Sequence, residues 1–80
     1  MFQKKSYTNN MEQELRKRIA HNLKVERAKK SLTQENLAEL SGVSVKHITK
    51  IETGKVTPSI YIMYKFSKVL DTSIDELLNT

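Results

Sequence analysis

The sequence contains no cysteine, which excludes a disulfide-stapled scaffold, cysteine-based zinc sites and thiol catalysis. No apolar run approaches the length needed to cross a bilayer, so surface attachment is the only membrane option. The chain opens on polar and basic residues instead of an apolar export signal, and a cytoplasmic location is expected. There is no glycine-rich phosphate loop, because the two glycines, Gly42 and Gly54, stand apart from each other. The two histidines, His21 and His47, fall on separate segments with no cysteine near them, so no recognisable metal set exists and neither metal nor cofactor is expected. Asp75 and Glu76 stand at a helix start, where acids favour the helix dipole. An enzyme is the class that these residues support least.

What is present is a short, basic chain. Eighty residues make one domain near the lower size at which a single core holds a fold unaided. A second, ligand-sensing domain does not fit in that length, so no small-molecule ligand is expected. The formal charge is +5, and it is unevenly placed: residues 1–30 hold nine Lys/Arg against three Glu, while residues 31–80 hold five Lys against six acids. A basic excess of this kind, with Lys46, Lys50 and Lys55 beyond it, suits a polyanion, either nucleic acid or an acidic membrane.

Residues 1–10 are polar and basic without periodicity and are expected to form a disordered basic arm, leaving residues 11–80 as the folded domain. Asn10 followed by Gln13 has the pattern of a capping box, and Leu15, Ile19 and Leu23 recur at helical spacing, which predicts a first helix from about Met11 to Lys30. Each later segment opens on a hydroxyl residue able to accept from the unpaired amides of a first turn. Helices are thus expected from Thr33 to about Leu40, Ser44 to about Thr53, Ser59 to about Leu70 and Ser73 to about Leu78. Gly42 and Gly54 follow two of them, where a left-handed residue is often required. With no repeats and no convincing strand, the expected class is all-α, a compact bundle of five short helices.

The informative stretch runs from Gln34 to Glu52: a helix, the turn Gly42-Val43-Ser44, and a second helix. Two helices that cross closely need a small residue at the crossing, supplied by Ala38, and a permissive turn residue, supplied by Gly42. Leu37, Val43, Ile48 and Ile51 are spaced to share one core. Val45, Lys46, Thr49 and Lys50 are left on the opposite face, free to enter a major groove.

At this point the sequence resembles the phage repressor and Cro-like (XRE-like) helix-turn-helix regulators. The resemblance runs from about Ile19 to Leu78, through Leu32-Thr33-Gln34-Glu35, Leu37-Ala38, Ser41-Gly42-Val43-Ser44, Ile51-Glu52-Thr53-Gly54-Lys55, Pro58-Ser59, Leu70 and Ile74-Asp75-Glu76-Leu77. It implies a lambda-repressor-like domain that binds double-stranded DNA and regulates transcription, cytoplasmic and nucleoid-associated, in bacteria or phage. Two positions depart from the family pattern: Ser41 and Glu26 stand where apolar residues are common, predicting looser packing under the turn and a solvated side of the first helix.

By the same resemblance, Val45, Lys46, Thr49 and Lys50 occupy base-contacting positions. The lysines can donate to guanine O6 and N7, Thr49 can meet a base or a thymine methyl, and Val45 can pack on a thymine methyl. A solvated face that touches only phosphates is the alternative. Gln34, Ser44, His47, Lys55, Thr57 and Ser59 are the phosphate-contacting candidates. Gln34 can also brace the recognition helix or be an ordinary helix residue, Ser44 can cap its helix, His47 can be merely solvated, and Lys55 can serve as a helix-end cation. Arg27 and Glu52 match a structural ion pair.

Residues 60–70 are apolar on nearly every side. Ile60, Met63, Ser67 and Leu70 form one stripe, enough to close the core, and Ile62, Phe66 and Val69 form another, with Tyr61 and Tyr64 in excess. Tyr61, Ile62, Tyr64, Phe66 and Val69 are therefore candidates for a homodimer interface on a palindromic site. The alternative is cover by the last helix, with Ile74, Leu77 and Leu78. Two other functions stay open: an antitoxin-type or controller protein whose main partner is another protein, and RNA or anionic-membrane binding through the first helix.

Overall fold

Four hydroxyl residues set where four of the five helices begin. In the computed structural model, which describes residues 4–79 and side chains from Asn10 onward, the elements are α1 (Lys4–Lys29), α2 (Gln34–Ser41), α3 (Val45–Glu52), α4 (Ile60–Leu70) and α5 (Ile74–Leu78). The Thr33 hydroxyl accepts from the Asn36 amide while the Asn36 side chain accepts from the Thr33 amide, a reciprocal box. Ser44 and Ser59 cap α3 and α4 by accepting from His47 N and Ile62 N. Ser73 and Glu76 form a second box at α5. Hydrogen bonds from the Ser73 amide and the Thr72 and Ser73 hydroxyls hold the Glu76 carboxyl below its ordinary range.

The first helix departs from expectation. It starts by Lys4, so Asn10 lies inside it and caps nothing. Extending an existing helix costs far less than nucleating one, and no Pro or Gly interrupts Lys4 to Asn10. The expected disordered arm is therefore helical over residues 4–10, while residues 1–3 lie outside the described residues.

Ile19 and Leu23 of α1, Leu37 of α2, Val43 in the turn, Ile48 and Ile51 of α3, Met63, Phe66 and Leu70 of α4 and Leu77 of α5 form one core. Helix α1 packs against α3 and α5, α2 against α3 and α4, and α4 against α5. Gly42 (φ 76°) and Gly54 (φ 73°) take the left-handed conformation where α2 and α3 end, which a Cβ would strain. After α3, the Gly54 amide donates to Ile51 O and the Lys55 amide to Lys50 O, closing the last turn.

Two departures from the family pattern resolve locally. The Ser41 hydroxyl donates to Leu37 O at 2.6 Å and accepts from Val43 N at 3.2 Å, so it orders the turn through hydrogen bonds where an apolar residue would do so by packing. Glu26 is not freely solvated: its side chain is largely covered and pairs with Lys29 at 3.1 Å.

Helix α4 departs from the expected pattern at two residues. Phe66 is fully buried, so it belongs to the core and not to a surface. Ile60 is 70% exposed and stands outside the core stripe to which the spacing assigned it. The inward face is Met63, Phe66 and Leu70, while Ile62 and Val69 are half-buried against the core. Helix α5 packs on α4 and shares its core through Leu77. Phe66→Ala should then cost about 3–5 kcal/mol in urea unfolding, whereas Tyr61→Ala, measured at concentrations where the chain is monomeric, should stay within about 0.5 kcal/mol.

Candidate nucleic-acid interface

Helix α3 is eight residues long, and its two faces differ sharply. Ile48, Ile51 and Glu52 point inward and are buried. Lys46, Thr49 and Lys50 are exposed, with Val45 half-buried at the helix start. Among the described residues Lys46, Lys50 and Lys55 form no ion pair, so their charge is free to act outward.

What fixes this orientation is polar. Glu52 is only 4% exposed, and a carboxylate at that depth is costly unless matched by donors. Arg27 supplies a two-pronged match from α1, its Nε donating to Glu52 Oε2 at 2.8 Å and its Nη2 to Oε1 at 2.9 Å. Its Nη1 donates to Leu32 O at 2.8 Å, tying the pair to the α1–α2 loop. The hydrogen bond to Glu52 raises the Arg27 pKa above its ordinary value, although burial opposes it. From α2, Gln34 Nε2 donates to Glu52 Oε1 at 2.9 Å, and Gln34 Oε1 accepts from the Thr49 hydroxyl at 3.0 Å. A continuous chain of hydrogen bonds thus runs from the end of α1, through the buried carboxylate, to the exposed face of α3.

The start of α3 and the stretch that follows it carry further exposed hydroxyls at Ser44, Thr57 and Ser59. The hydroxyls of Ser44 and Ser59 use a lone pair for capping and keep their protons for an outside acceptor. The Thr57 hydroxyl accepts from Arg16 Nε at 2.8 Å and keeps its proton in the same way. Arg16, also paired with Glu12 at 3.1 Å, brings a guanidinium from α1 to the α3–α4 loop. The sequence pattern did not single it out, because its partner lies 41 residues away. His47 differs from its neighbours: it is half-buried, and its Nε2 is enclosed without a hydrogen-bond partner. That ring atom is unavailable to a phosphate, and the His47 amide is occupied by the Ser44 cap.

Two short helices joined by a tight turn, the second with a basic outer face, define a helix-turn-helix domain. A family model described as Helix-turn-helix (HTH_3) matches residues 23–77. The chain belongs to this XRE-like family of DNA-binding helix-turn-helix transcription regulators. It is 40% identical over 59 residues to an uncharacterized HTH-type transcriptional regulator of Methanocaldococcus jannaschii, covering 74% of this chain and 89% of the relative. Among solved structures, the restriction-modification controller protein C.AhdI of Aeromonas hydrophila is 31% identical with a TM-score of 0.74, covering 78% of this chain and 94% of that one. An HTH_3 family transcriptional regulator of Vibrio cholerae is 29% identical with a TM-score of 0.78 over 82% of this chain. This chain spans 37% of that regulator's length.

Removing one member of the buried pair should be far worse than removing both. Glu52→Ala, which leaves Arg27 without its carboxylate, should cost about 3 kcal/mol or more in chemical unfolding, and the double variant Arg27→Met/Glu52→Leu should recover much of that loss.

Proposed function

We propose that this chain binds double-stranded DNA sequence-specifically, as a homodimer on a palindromic operator, with α3 of each subunit in the major groove. It would regulate transcription, as a repressor or autoregulator, by occupying promoter DNA. The observation that carries this reading is the two-faced α3: Lys46, Thr49 and Lys50 stand exposed on a helix whose other side is locked into the core. Val45, Lys46, Thr49 and Lys50 are the proposed base-reading residues. Gln34, Ser44, Lys55, Thr57 and Ser59, with Arg16 beside them, are proposed to hold the flanking phosphates, whose contacts set register without specifying sequence. His47 is proposed as a helix-flank residue near the backbone, with its enclosed ring nitrogen taking no part.

The dimer reading is supported by an apolar surface that the monomer leaves open. Ile60, Tyr61 and Tyr64 are 70%, 63% and 50% exposed at the start of α4. Lys65 and Lys68 place their Nζ atoms 4.4 and 5.3 Å from the ring centres of Tyr61 and Tyr64, a cation–π arrangement on one face of each ring. Of the candidate interface residues, Tyr61 and Tyr64 carry the proposal, with Ile60 added; Ile62 and Val69 can contribute only their edges.

A controller role with a second protein as main partner is the other reading. The likeness to a restriction-modification controller protein over nearly its whole length favours it. In either case DNA binding through α3 is the proposed activity.

Selection from a randomised duplex library should return one preferred inverted repeat. Lys50→Ala should weaken binding to it by about 1–3 kcal/mol and relax preference at one base position per half-site. Lys55→Ala should weaken all duplexes alike and lower the salt slope by about one. Unchanged base preference in Lys50→Ala, or equal binding of all duplexes by the parent protein, would contradict the reading.

A further inference from the structure

The hydrogen-bond chain ending at Thr49 has a direction, and that direction determines what Thr49 can offer outward. A guanidinium has only donors, so both oxygens of Glu52 act as acceptors toward Arg27. Gln34 must therefore turn its NH2 to Glu52 Oε1, since the opposite amide orientation would set a carbonyl oxygen against a carboxylate. Its carbonyl is thereby fixed toward Thr49, 3.0 Å away, and a carbonyl can only accept. The single proton of the Thr49 hydroxyl is consumed inward. What remains on the exposed side of Thr49 is a pair of oxygen lone pairs and a methyl group.

We propose that Thr49 is a specificity-determining acceptor that selects an exocyclic amino group, adenine N6 or cytosine N4, in the major groove. The inference rests on the reading that α3 enters that groove. Adenine and cytosine carry the groove's hydrogen-bond donors, while guanine O6 and N7 and thymine O4 are acceptors. Lys46 and Lys50 are donors only and suit those acceptors. The face of α3 is thus divided, with two positions that seek acceptors and one, between them, that seeks a donor. Gln34 is a positioning residue in this scheme: it sets the polarity of Thr49 from one helix away. Without it the hydroxyl is free to turn and donate.

The test combines three variants with atom-level changes in the duplex. The preferred site is first selected with the parent protein, and the base pair whose preference changes in Thr49→Val is identified. The base facing Thr49 there is then replaced by its analogue without the amino group, purine for adenine or 2-pyrimidinone for cytosine. Separately, purine N7 at the same pair is removed with a 7-deaza analogue. The parent protein and Thr49→Ser should lose roughly tenfold in affinity on the amino-less duplex, the size expected for one hydrogen bond. Thr49→Val should lose nothing further there, and removal of N7 should leave the parent unaffected. In Gln34→Ala the penalty for the missing amino group should shrink, because the hydroxyl can adapt.

If the amino-less duplex binds the parent protein as tightly as the natural one, the proposed polarity is wrong. The same holds if Thr49→Val alters no base preference while the parent remains selective. A parent protein that fails to discriminate among duplexes at all overturns the broader reading of α3, and the polarity with it.

Discussion

A carboxylate with almost no access to water governs this fold. Glu52 sits on the inner side of α3, and its charge is matched by Arg27 from α1 and Gln34 from α2. Three helices therefore meet at one group that tolerates few geometries. The apolar core supplies most of the stability, but hydrophobic burial is non-directional and would accept some rotation of a short helix such as α3. Directional bonds to a buried charge do not accept it, because any slip leaves a donor or acceptor unmatched in a low-dielectric setting. The network thus sets the roll of α3, and with it which residues face out.

The same economy appears at the helix starts. A hydroxyl that caps a helix accepts through a lone pair and retains a proton, so Ser44 and Ser59 can serve the fold and an external anion together. Arg16 and Thr57 add a guanidinium and a hydroxyl, bonded to each other, at the α3–α4 loop. Structural and binding roles are therefore not competing assignments for these residues. At Thr49 the inward bond does more than support the helix, because it also fixes the chemical sign that the side chain presents.

Much of this was legible in the sequence, for identifiable reasons. The caps at Thr33, Ser44, Ser59 and Ser73 are local signals, and the starts of α2 to α5 follow from them. The inward set Leu37, Val43, Ile48 and Ile51 follows from spacing alone. The Arg27–Glu52 pair came from family resemblance, since nothing local links residues 25 positions apart. The start of α1 was misplaced because extending a helix needs no signal. On α4 the error had another cause: two apolar stripes share one helix, and which of them is covered depends on how α2 and α5 pack against it. Phe66 and Ile60 exchanged roles for that reason. That Gln34 braces α3 was implied by the resemblance, but its partners there, Glu52 and Thr49, were illegible, because they depend on how two helices cross.

The central claim is that Glu52 holds α3 with its lysine-bearing face open to DNA. Titration of the isotope-labelled chain with its selected duplex, followed by backbone and side-chain amide shifts, tests it most directly. The account predicts that the largest shifts fall on Val45 to Lys50, the Gln34 side chain and the loop from Thr53 to Ser59, with the Arg27 guanidinium still bonded to Glu52 in the complex. Shifts concentrated on α4 and α5 with α3 silent, or loss of the Arg27–Glu52 pair on binding, would contradict it.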